Sequence, residues 1–137
     1  MRTRLGHIQL NVAAANIPFY ADLFAFMGWP VIHQGDGMLG VAGAGEESVW
    51  FISGDVKDVS NDYDGPGLNH IAFAAESIAD VDAAAAYLRE RTVAHLFETP
   101  RHRPEFAMSE ADTYYQVMFE TPDRLLFEVV YTGPLTA

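Results

Sequence analysis

The chain has 137 residues, half of them hydrophobic and a fifth charged, which is the composition of one soluble globular domain with room for a proper core. It has no cysteine, which excludes disulfides and zinc–thiolate sites and leaves the redox compartment open. A formal net charge of −11, with Lys57 the only lysine, gives no electrostatic footprint for nucleic acid or an anionic membrane; it suits solubility, or a field that draws in cations. The N-terminus has no apolar signal-like region, and no apolar run approaches the ~18–20 residues that span a bilayer, so a cytoplasmic protein is expected.

In chain order, Leu5–Val12 reads as a strand. Asn16 is placed to cap a helix, Pro18 falls in its first turn, and Gly28 stops it. Phe19/Tyr20, Leu23/Phe24 and Met27 recur at helical spacing, an aromatic stripe read as core packing. Trp29–His33, Met38–Val41 and Ser48–Ile52 are three short predicted strands, so the first half is β-α-β-β-β. The polar, Gly/Asp/Asn-rich stretch 53–67 is expected to link two halves, with module one at 1–63 and module two at 64–137.

The second half repeats the order. Gly65-Pro66-Gly67 opens onto Leu68–Ala74, whose alternation sets His70, Ala72 and Ala74 opposite Ile71 and Phe73. Ser77 followed by Asp80 starts a second helix with an apolar stripe of Val81, Ala84/Ala85 and Leu88, and with Arg89 and Arg91 at its end. Val93–Phe97 is a predicted strand. Residues 98–112, with two prolines and mixed charges, are expected to form a long loop, a candidate lid containing Arg101, His102, Arg103 and Glu105. Tyr114–Phe119 and Leu125–Tyr131 are the last strands, joined by a turn at Thr121–Arg124.

The repeat directs attention to three side chains. Leu5-Gly6-His7-Ile8 and Leu68-Asn69-His70-Ile71 place a histidine at the same point of each module, each opposite large apolar neighbours. Glu128, inside Leu125-Leu126-Phe127-Glu128-Val129-Val130, needs a partner, because an unpaired buried carboxylate costs several kcal/mol or more. A divalent cation held by His7, His70 and Glu128 would satisfy all three, and two histidines with one carboxylate form the facial set of non-haem iron and related sites. The three are therefore expected to converge on one ion. Setting Phe51 against Phe127 places Ile52 opposite Glu128. His33, His95 and His102 have no repeat partner and are read as surface or core residues.

Gly6-His7-Ile8, Leu68–Phe73 and the run from Tyr114 to Glu128, with its turn Thr121-Pro122-Asp123-Arg124, together resemble the vicinal oxygen chelate superfamily. That superfamily groups glyoxalase I, extradiol dioxygenases, fosfomycin-resistance enzymes and bleomycin-binding proteins. The resemblance covers nearly the whole chain. It implies an α+β fold of two βαβββ modules whose sheets form a half-open mixed β-barrel around a cleft. It also implies a divalent metal (Fe, Mn, Zn, Ni or Co) on His7, His70 and Glu128, and a homodimer as the family habit.

Two departures stand out. Thr121 and Arg124 replace the Asp and Gly of the family's usual turn, and Ile52 appears where glyoxalase I has a fourth ligand. Strand alternation puts Gln9, Asn11, Trp50, Ile52, Ala72 and Leu126 on the cleft face, with Tyr114 or Tyr115, Gln116 and Met118 on an adjoining wall. Gln9, Asn11, Trp50, Tyr114 and Gln116 are the candidate substrate-binding residues. The function so implied is metal-dependent dioxygenase or lyase/isomerase chemistry on a small molecule with two neighbouring oxygens. The alternative is a non-catalytic binding or sequestration protein on the same fold. No catalytic residue is singled out.

Overall fold

The computed structural model of the protein describes residues 1–136. The chain folds as two compact units, one over Met1–Val59 and one from Ser60 onward. Among the described residues no helix is long and apolar enough to cross a membrane.

The first unit runs β1 (His7–Asn11), a single 3-10 turn (Ala14–Asn16), α1 (Ile17–Phe26), β2 (Val31–Gly35), β3 (Met38–Ala42) and β4 (Ser48–Ile52). Its sheet has the order β1-β4-β3-β2, parallel between β1 and β4 and antiparallel elsewhere. One face buries Leu10, Val41, Leu39, Val49 and Phe51, together with Tyr20, Leu23 and Phe24 of α1. Tyr20 stacks on Phe51 at 4.3 Å between ring centroids and Phe24 meets Phe51 edge-on at 5.2 Å, so the aromatic stripe is core, as expected. Gly28 ends the helix at φ +78°. Asn16 does not cap it: the chain has already coiled through Ala14–Asn16, Asn16 is itself helical, and its side chain makes no cap hydrogen bond. Strand β2 starts at Val31 rather than Trp29, which packs edge-on against Phe24.

The opposite face of this sheet presents His7, Gln9, Asn11, Ser48, Trp50, Ile52 and Met38, by the pairings Gln9↔Trp50, Asn11↔Ile52 and Met38↔Ile52. Trp50 lies over Gly40. A Cβ there would stand 2.8–2.9 Å from three atoms of the indole's six-membered ring.

The second unit repeats the pattern: β5 (Ile71–Ala74), α2 (Ile78–Glu90), β6 (His95–His102), β7 (Asp112–Glu120) and β8 (Leu126–Pro134), in the order β5-β8-β7-β6. The fold is α+β, two four-stranded mixed sheets each with one helix. Ser77 caps α2 as its sequence implies, accepting from the Asp80 N–H at 3.1 Å and donating its own hydroxyl to Asp80 Oδ2 at 2.7 Å. Residues 60–63 belong to this unit because Arg124 reaches Ser60, Asn61 donates to the Arg124 carbonyl, and the Tyr63 hydroxyl donates to Glu120 at 2.6 Å. In the turn after β7, Thr121 Oγ1 accepts from the Leu125 N–H while Arg124 takes φ +56°, which preserves the turn despite the two substitutions noted above.

In the second unit two expectations need correction, and the choice between Tyr114 and Tyr115 is resolved. Residues 98–102 are not loop. Strand β6 continues to His102 after an irregularity between Leu96 and Arg101, and the buried Thr99 hydroxyl accepts the Met118 N–H at 2.9 Å, standing in for the missing ladder bond. The segment outside the sheet is 103–111, with one 3-10 turn at Pro104–Phe106. Strand β5 begins at Ile71, so His70 stands just before the strand. On β7, pairing puts Tyr114, Gln116 and Met118 on one face, since Met118 opposes Glu128. Tyr115 points the other way, its hydroxyl donating to Asp82 of α2 at 2.6 Å.

Burial, the hydrogen bond to Asp82 and that carboxylate's charge push the Tyr115 phenol from 10.0 up to about 12. The fold therefore keeps a proton that the unfolded chain has lost by about pH 10. The stability this contributes is fully present below that pH and drains away as pH rises through about 12. In denaturant titrations the stability gap between wild type and Tyr115→Phe should narrow across this window; a gap constant with pH would contradict the assignment. Gly40→Ala should cost about 1–3 kcal/mol in the same measurement, because the indole must move, and an unchanged midpoint would mean Trp50 repacks freely.

Candidate metal and substrate site

The site grows from the middle of β8. Glu128 is buried to 1 % exposure on the sheet face opposite Phe127 and Val129. Its neighbours on that face are Ala72 across the parallel pairing and Met118 across the antiparallel one. Two groups meet its carboxyl. The Tyr114 hydroxyl donates to Oε1 at 2.7 Å, and His70 Nε2 lies 3.1 Å from Oε2. Burial, followed by the bond to Glu128 and that residue's charge, pushes the Tyr114 phenol up to about 12, with Arg103 pulling partly the other way. Tyr114 is therefore a fixed donor. The Phe106 ring packs edge-on against it, 5.5 Å between centroids.

His70 is held on both sides. Its Nδ1 lies 2.7 Å from Asn69 Oδ1, and the Asn69 amide donates through Nδ2 to the Tyr63 carbonyl at 2.9 Å. Both ring nitrogens thus face oxygens, yet a neutral imidazole has one N–H to give. The second oxygen needs either a second ring proton or a cation. The spacing suits either: 3.1 Å is within ion-pair reach of a protonated ring, and two donors each ~2.1 Å from an octahedral ion and at right angles to one another also sit ~3.0 Å apart. Among the described residues no three His, Cys, Asp or Glu side chains gather into a ready-made metal site; the pair that meets is His70 and Glu128.

In the first unit, His7 opens β1 and is exposed, on the face shared with Gln9, Asn11 and Trp50. Gln9 Nε2 donates to Asn11 Oδ1 at 3.2 Å and the Trp50 indole N–H donates to Ser48 Oγ at 3.0 Å. The pairings also correct the repeat alignment. Glu128 opposes Ala72, two residues after His70; the residue opposing Gln9, two after His7, is Trp50 and not Ile52. Matching Phe51 to Phe127 by type slips the modules by two residues. An indole, like the isoleucine side chain, offers no metal ligand.

The remaining candidates divide. Gln116 shares the Glu128 face and is buried, but it is not part of the hydrogen-bonded set around the carboxyl. Arg101 and His102 belong to β6, and His102 bonds to Thr113 beside the Tyr115 ring. Glu105 is engaged by Arg103 at 2.6 Å, and that guanidinium holds its carboxyl below the usual range. His95 bonds to the Ala85 carbonyl, while His33 lies 6.0 Å from the Trp50 ring. A cleft of about 410 Å³, lined by His102, Ser109, Glu110, Asp112, Thr113 and Leu135, was not foreseen. Nor were the roles of Asn69 and Tyr63, although an Asn directly before a strand-mouth His was a readable signal.

The sequence profile of the Glyoxalase/Bleomycin resistance protein/Dioxygenase superfamily matches residues 4–129. No curated protein matches the chain. Among solved structures, a protein of Bacillus halodurans described as a candidate glyoxalase is 26% identical, covers 93% of this chain and 94% of its own, and superposes with a TM-score of 0.76. The fosfomycin resistance protein FosX of Listeria monocytogenes, solved with Mn(II) and sulfate, is 23% identical over 98% of this chain and 94% of its own, at a TM-score of 0.67. A glyoxalase/dioxygenase of Nostoc punctiforme is 16% identical over 95% and 91%, at 0.71. With a match running almost end to end, and with this fold in each relative, the chain belongs to the Glyoxalase/Bleomycin resistance protein/Dioxygenase superfamily.

Proposed function

We propose that the protein is a divalent-metal-dependent enzyme acting on a small molecule that presents two neighbouring oxygens, with His7, His70 and Glu128 as the protein ligands. One observation carries this reading: His70 Nε2 and the buried Glu128 Oε2 face each other at 3.1 Å, and with Nδ1 serving Asn69 a neutral imidazole has no hydrogen to place between them. His7 is assigned as third ligand from its matching place in the repeat. Trp50 at the position equivalent to Glu128 supports a three-ligand site, which leaves three positions of an octahedral ion for substrate, water or dioxygen. The Mn(II) in FosX is consistent with the donor set.

The bound ion would supply Lewis-acid chemistry toward the substrate's oxygens. The chain's own residues do the rest. Glu128 contributes a negative charge, and Tyr114 occupies Oε1, so that Oε2 alone is free to ligate. Ala72 and Met118 flank the carboxyl with apolar surface, which keeps water from competing for it. In this reading Gln9, Asn11 and Gln116 offer amides for substrate polar groups, and Trp50 an aromatic surface.

The direct test is metal content after purification without chelators. About one divalent ion per chain is expected, and none for His70→Ala or Glu128→Gln, each keeping a cooperative thermal transition because the aromatic core of the second unit, Phe73, Phe119 and Phe127, lies on the other face of the sheet. Wild-type protein that takes up no Mn, Fe, Co, Ni or Zn would overturn the reading and favour a sequestration protein. Reaction class follows from reconstitution. Oxygen uptake with catechols by the Fe(II) form alone would mark a dioxygenase, and turnover of 2-oxoaldehyde–thiol adducts by the Ni(II) or Zn(II) form would mark a glyoxalase-like lyase or isomerase.

A further inference from the structure

We infer that Asn69 is a positioning residue, which sets the tautomer of His70 and so decides whether its Nε2 is free to ligate; the inference rests on the metal reading above. The amide cannot be turned the other way. Its outer neighbour is the Tyr63 carbonyl, 2.9 Å from Nδ2, and a peptide carbonyl only accepts. The amide nitrogen must therefore face Tyr63, and the amide oxygen must face His70 Nδ1 at 2.7 Å. An oxygen there holds a ring proton on Nδ1, so that in the neutral ring the lone pair is on Nε2, the atom beside Glu128.

The carbonyl that orients Asn69 is itself anchored. The Tyr63 hydroxyl donates to Glu120 Oε2 at 2.6 Å, the Arg124 guanidinium lies 5.7 Å from the centre of the Tyr63 ring, and the Glu120 carboxylate also meets Arg124 at 3.5 Å. Segment 60–69 is thereby tied to the β7–β8 turn, and the orientation of one exposed amide is passed to the mouth of β5. The two modules differ here. The residue before His7 is Gly6, which has no side chain, so this control belongs to the second module only. Without Asn69 the imidazole can place its proton on Nε2 and donate to Glu128, a stable metal-free pair that must be broken before an ion can enter.

The test uses the full chain with Asn69→Ala and with Asn69→Asp, which keeps an acceptor oxygen within reach of His70 Nδ1 while giving up the bond to the Tyr63 carbonyl. Zn(II) and Mn(II) affinity should fall about 10–100-fold in Asn69→Ala, the range for losing such an outer partner of a metal-bound histidine, and should stay within a few-fold in Asn69→Asp. ¹⁵N NMR of the histidine rings supplies a readout independent of metal. In wild type the His70 ring, identified by its loss in His70→Ala, should show the shifts of a protonated Nδ1, a signature that is lost in Asn69→Ala and returns in Asn69→Asp. Thermal midpoints should be unchanged, since Asn69 is exposed. Asn69→Ala with unaltered affinity and an unaltered Nδ1–H signal would overturn the inference, as would a wild-type His70 whose only ring proton is on Nε2. If wild type took up no metal, the proposed function would fall, while the NMR comparison would still decide whether Asn69 sets the tautomer.

Discussion

A carboxyl group buried in the middle of a β-strand is the constraint on which the second unit depends. Glu128 is 1 % exposed in a run of large hydrophobes, and a group of that kind left without partners would cost several kcal/mol. The surroundings read as a response to it. Strand β7 brings Tyr114 to one oxygen, the mouth of β5 brings His70 to the other, and both enter on the face turned away from Phe73, Phe119 and Phe127. An apolar residue in its place would complete an ordinary strand, which is why we read the polar cluster as a site.

The cluster also explains how polar groups are shared between the faces. Two adjacent tyrosines on β7 point to opposite sides. Tyr115 donates to Asp82 and links the strand to its helix, while Tyr114 donates to Glu128 and serves the site. Burial and a neighbouring carboxylate push both phenols up to about 12. One ties the strand to its helix and the other meets the buried carboxyl, and strand alternation alone separates them.

Much of this was legible in the sequence. The two βαβββ modules, the helix cap at Ser77, the aromatic core of the first unit and the need of Glu128 for a partner all follow from periodicity and from the cost of burying charge. What was not legible depends on pairing register. Phe51 and Phe127 match by type, yet β4 and β8 meet their partner strands two residues out of step with that match, so the counterpart of Glu128 is Trp50. The prolines at 100 and 104 suggested a loop from residue 98, but a single hydroxyl on Thr99 repairs the ladder and lets β6 run on to His102. The Asn69–Tyr63 relay depends on a backbone carbonyl whose position no local pattern encodes.

If the space between His70 and Glu128 is made for an ion, anomalous diffraction from crystals of the full chain soaked in Mn(II) will show one strong peak at ~2.0–2.2 Å from both His70 Nε2 and Glu128 Oε2, with His70 Nδ1 still on Asn69 and His7 among the remaining ligands. An empty map at that position, with His70 and Glu128 bonded directly to each other at saturating metal, would contradict that reading.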